Sequence, residues 1–263
     1  MQITIFGAGA YGHALGHILE ENNHEIIFYD PAKFPENNLE KVLENPDAII
    51  LALPSTAIAD FLSIFPKEKY NLPIICATKG LLSIEPFASF SNFSVISGPT
   101  FAIDLENDKP STLTSSSNLP IELFSRPWLK IEKADDPLGI ALCGTLKNIY
   151  AIEAGFKNLK KEDPEFSNFI NEVEKELKTI LAANNCNPLT FNRACGIDDL
   201  VMTCSSLTSR NYQFGKLLSE NSNAKPNQTT EGLNAIYSIS NSQSFILPEN
   251  TPLIHEIILK IKV

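Results

Sequence analysis

The sequence predicts an α/β N-terminal domain on a doubly wound, largely parallel sheet, followed by an all-helical C-terminal domain. Three observations lead there. Short apolar runs alternate with helical spacing through the first half of the chain, which is the pattern of β-α-β units. The first run, Ile3 to Phe6, passes directly into Gly7-Ala8-Gly9-Ala10-Tyr11-Gly12 and then into Ala14, Leu15, Ile18 and Leu19 at helical spacing. Near Ala134 the strand pattern stops and helical periodicity takes over. The 263 residues suffice for two modest domains, and the boundary is placed at 134, giving residues 1–134 and 135–263.

Strand, glycine turn and helix in that order are what give a G-x-G-x-x-G motif meaning. Gly7 permits the tight turn, Gly9 lets a pyrophosphate approach the backbone, and Gly12 lets the helix pack against the strand. The helix then presents its free N–H groups and positive dipole end to the phosphates. A second strand, His24 to Tyr29, ends at Asp30, eighteen residues beyond Gly12. That is near the spacing of a carboxylate that binds an adenosine ribose. The first domain is therefore expected to be Rossmann-type and to bind a dinucleotide.

The remaining elements follow in order. A polar segment, Pro31 to Asn38, leads to a short helix at 39–44 and a third strand, Ala48 to Leu53, whose apolar run suits a parallel strand buried on both faces. Ser55 or Thr56 is expected to cap a helix at 57–65. A fourth strand, Pro73 to Ala77, ends in Thr78-Lys79-Gly80, and a fifth, Ser94 to Ser97, ends in Gly98-Pro99-Thr100-Phe101-Ala102. Ligands of open α/β sheets bind beyond the carboxyl ends of the strands, and these turns all fall there. Two further strands, 112–115 and 128–131, are expected with a helix between them. Asp136-Pro137 reads as a helix start. A helix from Pro164 to about Asn184 carries Phe166, Phe169, Ile170, Val173, Leu177, Ile180 and Leu181 on one stripe, with Glu172, Lys175, Glu176 and Lys178 on the expected solvated face. Asn-rich patches at 221–228 and 238–244 read as loops.

Lys and Arg total 21 against 31 Asp and Glu, a net charge of −10. This argues against nucleic-acid or anionic-membrane partners and makes each cation near a motif informative. No apolar run has transmembrane length, and the N-terminal run lacks a basic flank for a signal peptide, so a cytoplasmic protein is expected. The five cysteines are scattered and form no C-x-x-C, which reads as reduced structural thiols. His13 and His17 lie at i, i+4 without a further ligand in view, so no metal site is expected.

Two constellations in the second half could carry chemistry. Residues 137–154 are apolar almost all round, yet hold Lys147 and Asn148. A buried ammonium is costly unless paired. Lys147 either snorkels to solvent along its stem or lines a site as a general acid/base. Gly144, one turn earlier, would admit a close neighbour. The stretch from Gly196 to Asn211 gathers Asp198, Asp199 and Ser209-Arg210-Asn211. Arg210 is a fork donor suited to a phosphate, and Asp199 could hold the Lys147 ammonium. The plainer alternative is a helix cap and a surface arginine. Thr229-Thr230-Glu231-Gly232 alone is a capping motif.

Taken together, the segments GAGAYGHAL (7–15), ALPSTAIADFL (52–62), CATKGL (76–81), SGPTFAIDL (97–105), GTLKNIYAIEAG (144–155), GIDDLVMTCSSLTSRNYQFGKLL (196–218) and TEGLNAI (230–236) resemble the NAD(P)-dependent glycerol-3-phosphate dehydrogenases, in that family's order. The resemblance implies reduction of dihydroxyacetone phosphate to sn-glycerol 3-phosphate for phospholipid synthesis. It implies Lys147 as the proton donor/acceptor, Asp199 as its orienting partner, and Lys79 near both substrate and cofactor. It implies Ser209, Arg210 and Asn211 on the substrate phosphate, with Gly98, Thr100 and Asn148 lining the substrate site. Ala10, Tyr11, Ala102, Arg210 and Glu231 would join Gly7, Gly9, Gly12 and Asp30 in touching the cofactor, NAD(H) or NADP(H). Asp30 favours NAD(H) slightly, because it would repel a 2′-phosphate. A homodimer is a further expectation. The chain departs from the family in its shorter length, in a reduced segment between Asp30 and Pro46, in Asp198 where the family has glycine, and in Lys157–Pro164 where the family carries Gly-Asp-Asn. Asp198 could perturb the lysine or crowd the pocket. Two alternatives stand beside this reading: a related dehydrogenase of another small keto or hydroxy acid, and a non-catalytic NAD-binding homologue.

Overall fold

The computed structural model describes residues 1–69, 71–226 and 229–261. They form two compact units: Met1–Thr78 with Ile84–Pro137, and Lys79–Ser83 with Leu138–Val263.

The first unit runs β1 (Gln2–Phe6), α1 (Ala10–Glu21), β2 (Glu25–Tyr29), α2 (Leu39–Val42), β3 (Ala48–Leu51), α3 (Ile58–Ile64), β4 (Pro73–Cys76), β5 (Asn92–Ser97), α4 (Ala102–Glu106), β6 (Ser111–Ser115) and β7 (Leu129–Lys133). The strands form one sheet in the order β2-β1-β3-β4-β5-β6-β7. All neighbours are parallel except β5 and β6. Register places Phe6 opposite both Tyr29 and Leu51. The residues that follow these strands, Gly7, Asp30 and Ala52, therefore emerge at one end of the sheet, where the strand order reverses between β1 and β3. All four residues of β3 are buried, as a central parallel strand requires. Ile3, Ile5, Ala14, Leu15, Ile18 and Leu19 pack into the same core. Each of these leucines and isoleucines contributes about 1.5–3 kcal/mol by leaving water.

Two expectations are corrected in this unit. Ser55 and Thr56 do not cap a helix. They lie inside a 3₁₀ turn, Ser55–Ala57, and no side chain caps α3. The connection between β6 and β7 holds only a 3₁₀ turn, Ile121–Phe124, because Pro120 and Pro127 punctuate a segment too short for a helix and a return. The sequence did not mark the direction of β6, which runs antiparallel to β5 before the sheet resumes parallel pairing with β7.

The second unit is built from α5 (Pro137–Phe156), α6 (Pro164–Ala183), α7 (Asp199–Ser205), α8 (Arg210–Glu220), α9 (Glu231–Asn241) and α10 (Pro252–Ile261). α5 is its axle: every residue from Gly139 to Gly155 is buried. A Cβ on Gly155 would overlap the Tyr212 carbonyl, and one on Gly215 would overlap that of Ile152. The backbones of α5 and α8 thus pack in direct contact, and only glycine fits at either position. The apolar stripe of α6 is buried along its length.

Two expectations fail here as well. Glu176 is buried rather than solvated. Its carboxylate accepts from the Tyr150 hydroxyl at 3.0 Å and from the backbone N–H groups of Leu253 at 2.6 Å and Ile254 at 3.0 Å. It ties α6 to α5 and satisfies the N-terminus of α10. The patch at 238–244 is not all loop, since α9 runs through Asn241. In the 221–228 patch, residues 227 and 228 lie outside the described residues.

Candidate active site

The second unit gathers its charged side chains around the middle of α5. Lys147 is 2% exposed and Asp199 is wholly buried. The Lys147 ammonium donates to Asp199 Oδ1 and, at 3.0 Å, to Thr203 Oγ1. Thr203 in turn donates to the Asp199 backbone carbonyl at 2.6 Å. Snorkelling is therefore excluded for Lys147. Burying such a pair is expensive, and losing either member would strand the other. An ammonium has three hydrogens. Two are used, and the third has no partner among the described residues. Asp199 Oδ2 is likewise buried without a hydrogen-bond partner among them. A donor and an acceptor thus stand side by side with capacity for a polar ligand.

Lys79 joins this group although it follows β4 in the chain. Thr145, half a turn before Lys147, accepts from the Gly80 N–H at 3.1 Å and lies 3.0 Å from the Leu81 carbonyl. That hydroxyl fastens residues 79–83 to α5. Lys79 is partly buried, and its pKa is lowered to about 8, first by desolvation and then by the Lys147 charge, with Asp199 and Glu231 opposing. Arg210 also lies within electrostatic reach. Glu231 is held above the usual carboxylate range by desolvation, against the pull of Arg210, Asn234 and Lys79. Three cations against two carboxylates leave the cluster with an excess positive charge in a protein of net charge −10, a balance that suits an anion. The Cys204 thiol lies close by, and burial raises its pKa strongly, so it is inert there.

Three further residues expected to bind substrate also bond to the frame. Ser209 caps α8, its hydroxyl accepting from the Tyr212 N–H at 3.4 Å. Asn211 accepts from the Gly232 N–H at 2.9 Å and donates to Asn148 Oδ1 at 2.8 Å. Asn148 donates onward to the Gly144 carbonyl at 3.0 Å. This chain fixes α8 and α9 against α5, so that exposed Arg210 projects from a rigid helix start. Asp198 is exposed and helical in backbone, with φ −68° and ψ −42°. Its backbone needs no glycine, and its side chain is exposed to solvent. Thr145 and Thr203 had no local signal. Each is a hydroxyl in an apolar helix that also bonds the carbonyl four residues back, a common and unremarkable habit.

In the first unit, Gly7 has φ +102°, a left-handed conformation that favours glycine. A Cβ on Gly12 would overlap the Gly7 carbonyl. At Gly9 nothing lies within 4 Å of where a Cβ would stand. Gly9 opens α1 without a side-chain cap, so the first-turn N–H groups at Ala10, Tyr11 and Gly12 are offered to a ligand. These features fit a dinucleotide pyrophosphate. Asp30 approaches the same loop: its Oδ2 accepts from the Ala8 N–H at 3.3 Å, and its Oδ1 from the Ala32 N–H at 3.2 Å. Thr100 is buried, and its hydroxyl meets the Tyr11 hydroxyl at 3.2 Å. Gly98 packs against the Thr112 carbonyl, and Ala102 begins α4.

Residues 136–260 match the family model described as the NAD-dependent glycerol-3-phosphate dehydrogenase C-terminus. The chain is 28% identical over 260 residues to a glycerol-3-phosphate dehydrogenase [NAD(P)+] of Oceanobacillus iheyensis, covering 82% of this chain and 76% of that protein. It is 29% identical over 263 residues to the protein of the same name from Colwellia psychrerythraea, covering 83% and 79%. Its fold matches the crystal structure of glycerol-3-phosphate dehydrogenase from Coxiella burnetii with a TM-score of 0.81 at 24% identity, over 98% of this chain and 94% of that one.

Proposed function

We propose that this chain, which belongs to the NAD(P)-dependent glycerol-3-phosphate dehydrogenase family, reduces dihydroxyacetone phosphate to sn-glycerol 3-phosphate with NADH or NADPH. The observation that carries the reading is the buried Lys147–Asp199–Thr203 cluster with its unused N–H.

Reduction of the ketone makes an alkoxide at C2. An ammonium held in a dry, low-dielectric setting stabilises that charge and delivers a proton to it. Asp199 and Thr203 fix the direction of the Lys147 N–H bonds, so little reorganisation is needed as charge develops. Lys79 and Arg210 would hold the phosphate dianion, Arg210 by its fork. Asn148, Ser209 and Asn211 act in this scheme by holding the helices in place. The glycine turn of the first unit would bind the pyrophosphate, with Tyr11, Ala102, Asp30 and Glu231 as further cofactor contacts. The bound nicotinamide supplies the hydride. In the forward direction C2 gains a hydride and its oxygen gains the proton. The reverse reaction returns that proton to Lys147.

The product is the acylatable backbone of phospholipids, and the reaction belongs to the cytoplasm. No described helix is long and apolar enough to cross a membrane, and all five cysteines are buried and outside any disulfide. A homodimer is a further part of the proposal, which light scattering would test. The enzyme assay follows reduced-nicotinamide absorbance with purified protein and dihydroxyacetone phosphate, using dihydroxyacetone as control. Phosphate-dependent oxidation is expected. Equal rates with both ketones, or none with either, would remove the assignment.

A further inference from the structure

The turn that leaves β2 is built to place a cation beside the glycine loop. The Asp30 carbonyl accepts from the N–H groups of Lys33 at 3.0 Å and Phe34 at 2.8 Å. The Asp30 side chain accepts from Ala32. The Phe34 ring stacks on Phe28 at 5.8 Å, and Asn37 donates to the Phe28 carbonyl at 3.1 Å. On this braced turn the Lys33 side chain, itself exposed, reaches back and donates from Nζ to the Ala8 carbonyl. Ala8 is thus flanked by two opposite charges, with Asp30 on its N–H and Lys33 on its carbonyl.

An acid at the end of β2 reads the ribose 2′-hydroxyl of NAD, and a 2′-phosphate needs a cation nearby. Asp30 alone would select NAD(H). Its carboxylate is engaged by two backbone N–H groups that partly neutralise it, while Lys33 brings a full positive charge to the same loop residue. We propose that Lys33 is a specificity-determining residue: its ammonium leaves the Ala8 carbonyl to pair with the 2′-phosphate of NADP(H), giving the site access to both cofactors despite Asp30. The inference rests on the dinucleotide reading of the glycine loop, but not on the identity of the substrate.

The test is calorimetric titration of the full chain with NADH and with NADPH, without substrate, for the wild type, Lys33→Gln and Lys33→Arg. Loss of one charge-assisted contact predicts that Lys33→Gln binds NADPH about ten-fold more weakly. Its affinity for NADH should stay within about two-fold, and Lys33→Arg should keep NADPH. Equal weakening toward both cofactors would mean that Lys33 only braces Ala8, and would overturn the proposal. So would unchanged NADPH binding in Lys33→Gln, or a wild type that does not bind NADPH. Thermal melts of the three proteins separate misfolding from a binding effect, and Lys33→Arg supplies the same comparison with the charge retained. A wild type that binds both cofactors but leaves dihydroxyacetone phosphate untouched would remove the proposed reaction and leave this inference standing.

Discussion

Between Phe6 and Tyr11 the first unit offers a ligand almost nothing but backbone: a left-handed Gly7, an open Gly9 and the uncapped start of α1. Around Lys147 the helical unit offers almost nothing but side chains, drawn from residues 79, 145, 147, 199 and 203. The first site is made by consecutive residues and depends on there being no side chains in the way. The second exists only once α5 and α7 have packed, and it depends on charges that folding must bury. A backbone site fails by steric intrusion, and a buried charge cluster fails by losing a partner. The substitutions that damage one should therefore spare the other.

The largest effect is expected from Lys147→Met. It removes the proposed proton donor and leaves Asp199 buried without its ion-pair partner. Turnover of dihydroxyacetone phosphate should fall by about 10³-fold or more, and stability by about 3–5 kcal/mol. NADH affinity, measured by fluorescence titration, should hold within about two-fold. Turnover within ten-fold of wild type would break the comparison at its strongest point. Gly12→Ala is the converse. Its methyl group would press on the Gly7 carbonyl, and NADH affinity should weaken by about ten-fold or more. The Lys147 cluster should be untouched, so that saturating cofactor restores much of kcat. If kcat falls as far as in Lys147→Met, the two sites are not separable in this way.

The same contrast decides what could be read in the chain. The glycine turn, α1, β3 and the stripe of α6 were legible, because each rests on local spacing. Lys147 announced itself as a charge in an apolar helix, and Asp199 as a candidate partner, since a buried ammonium needs one. Thr145 and Thr203 were silent, because a helical hydroxyl usually bonds its own backbone. The antiparallel turn of β6 was silent too, since strand direction depends on pairing rather than on composition. Glu176 was legible and misread. It sits at the stripe spacing of Phe169, Val173 and Ile180, where helical periodicity puts it inside. A carboxylate at an apolar position asks for donors, and the start of α10 provides them.

A smaller effect, and a sharper one, concerns pH. Burial and the Lys147 charge bring the Lys79 pKa down from 10.5 to about 8. Its ammonium is present below pH 8 and is lost as pH rises through that value. If Lys79 holds the substrate phosphate, kcat/KM should fall above pH 8, by about ten-fold at pH 9 relative to its plateau. Lys79→Arg should keep its charge and flatten that limb. In the unfolded chain this lysine stays protonated to about 10.5, so its contribution makes folding less favourable below pH 8 and relaxes between 8 and 10.5. A limb that persists unchanged in Lys79→Arg would move the titration to another group.

The smallest effect is expected at the position that looked most disruptive. Asp198 adds a carboxylate next to Asp199 in sequence, and from spacing alone it should disturb the lysine. The five-residue π-helix at Ala194–Asp198 carries the chain into α7 with an ordinary right-handed backbone at Asp198. Adjacent helical residues point about 100° apart, so burying Asp199 turns Asp198 outward to solvent, where its charge is screened. Asp198→Gly should therefore change kcat and KM by less than about two-fold. It should also cost a few tenths to about 1 kcal/mol of stability through backbone entropy. Steady-state kinetics and a denaturant melt check both numbers. A rise in kcat of ten-fold would mean that the exposed carboxylate does reach the Lys147 cluster through the field, and that the two neighbours differ less in electrostatics than in burial.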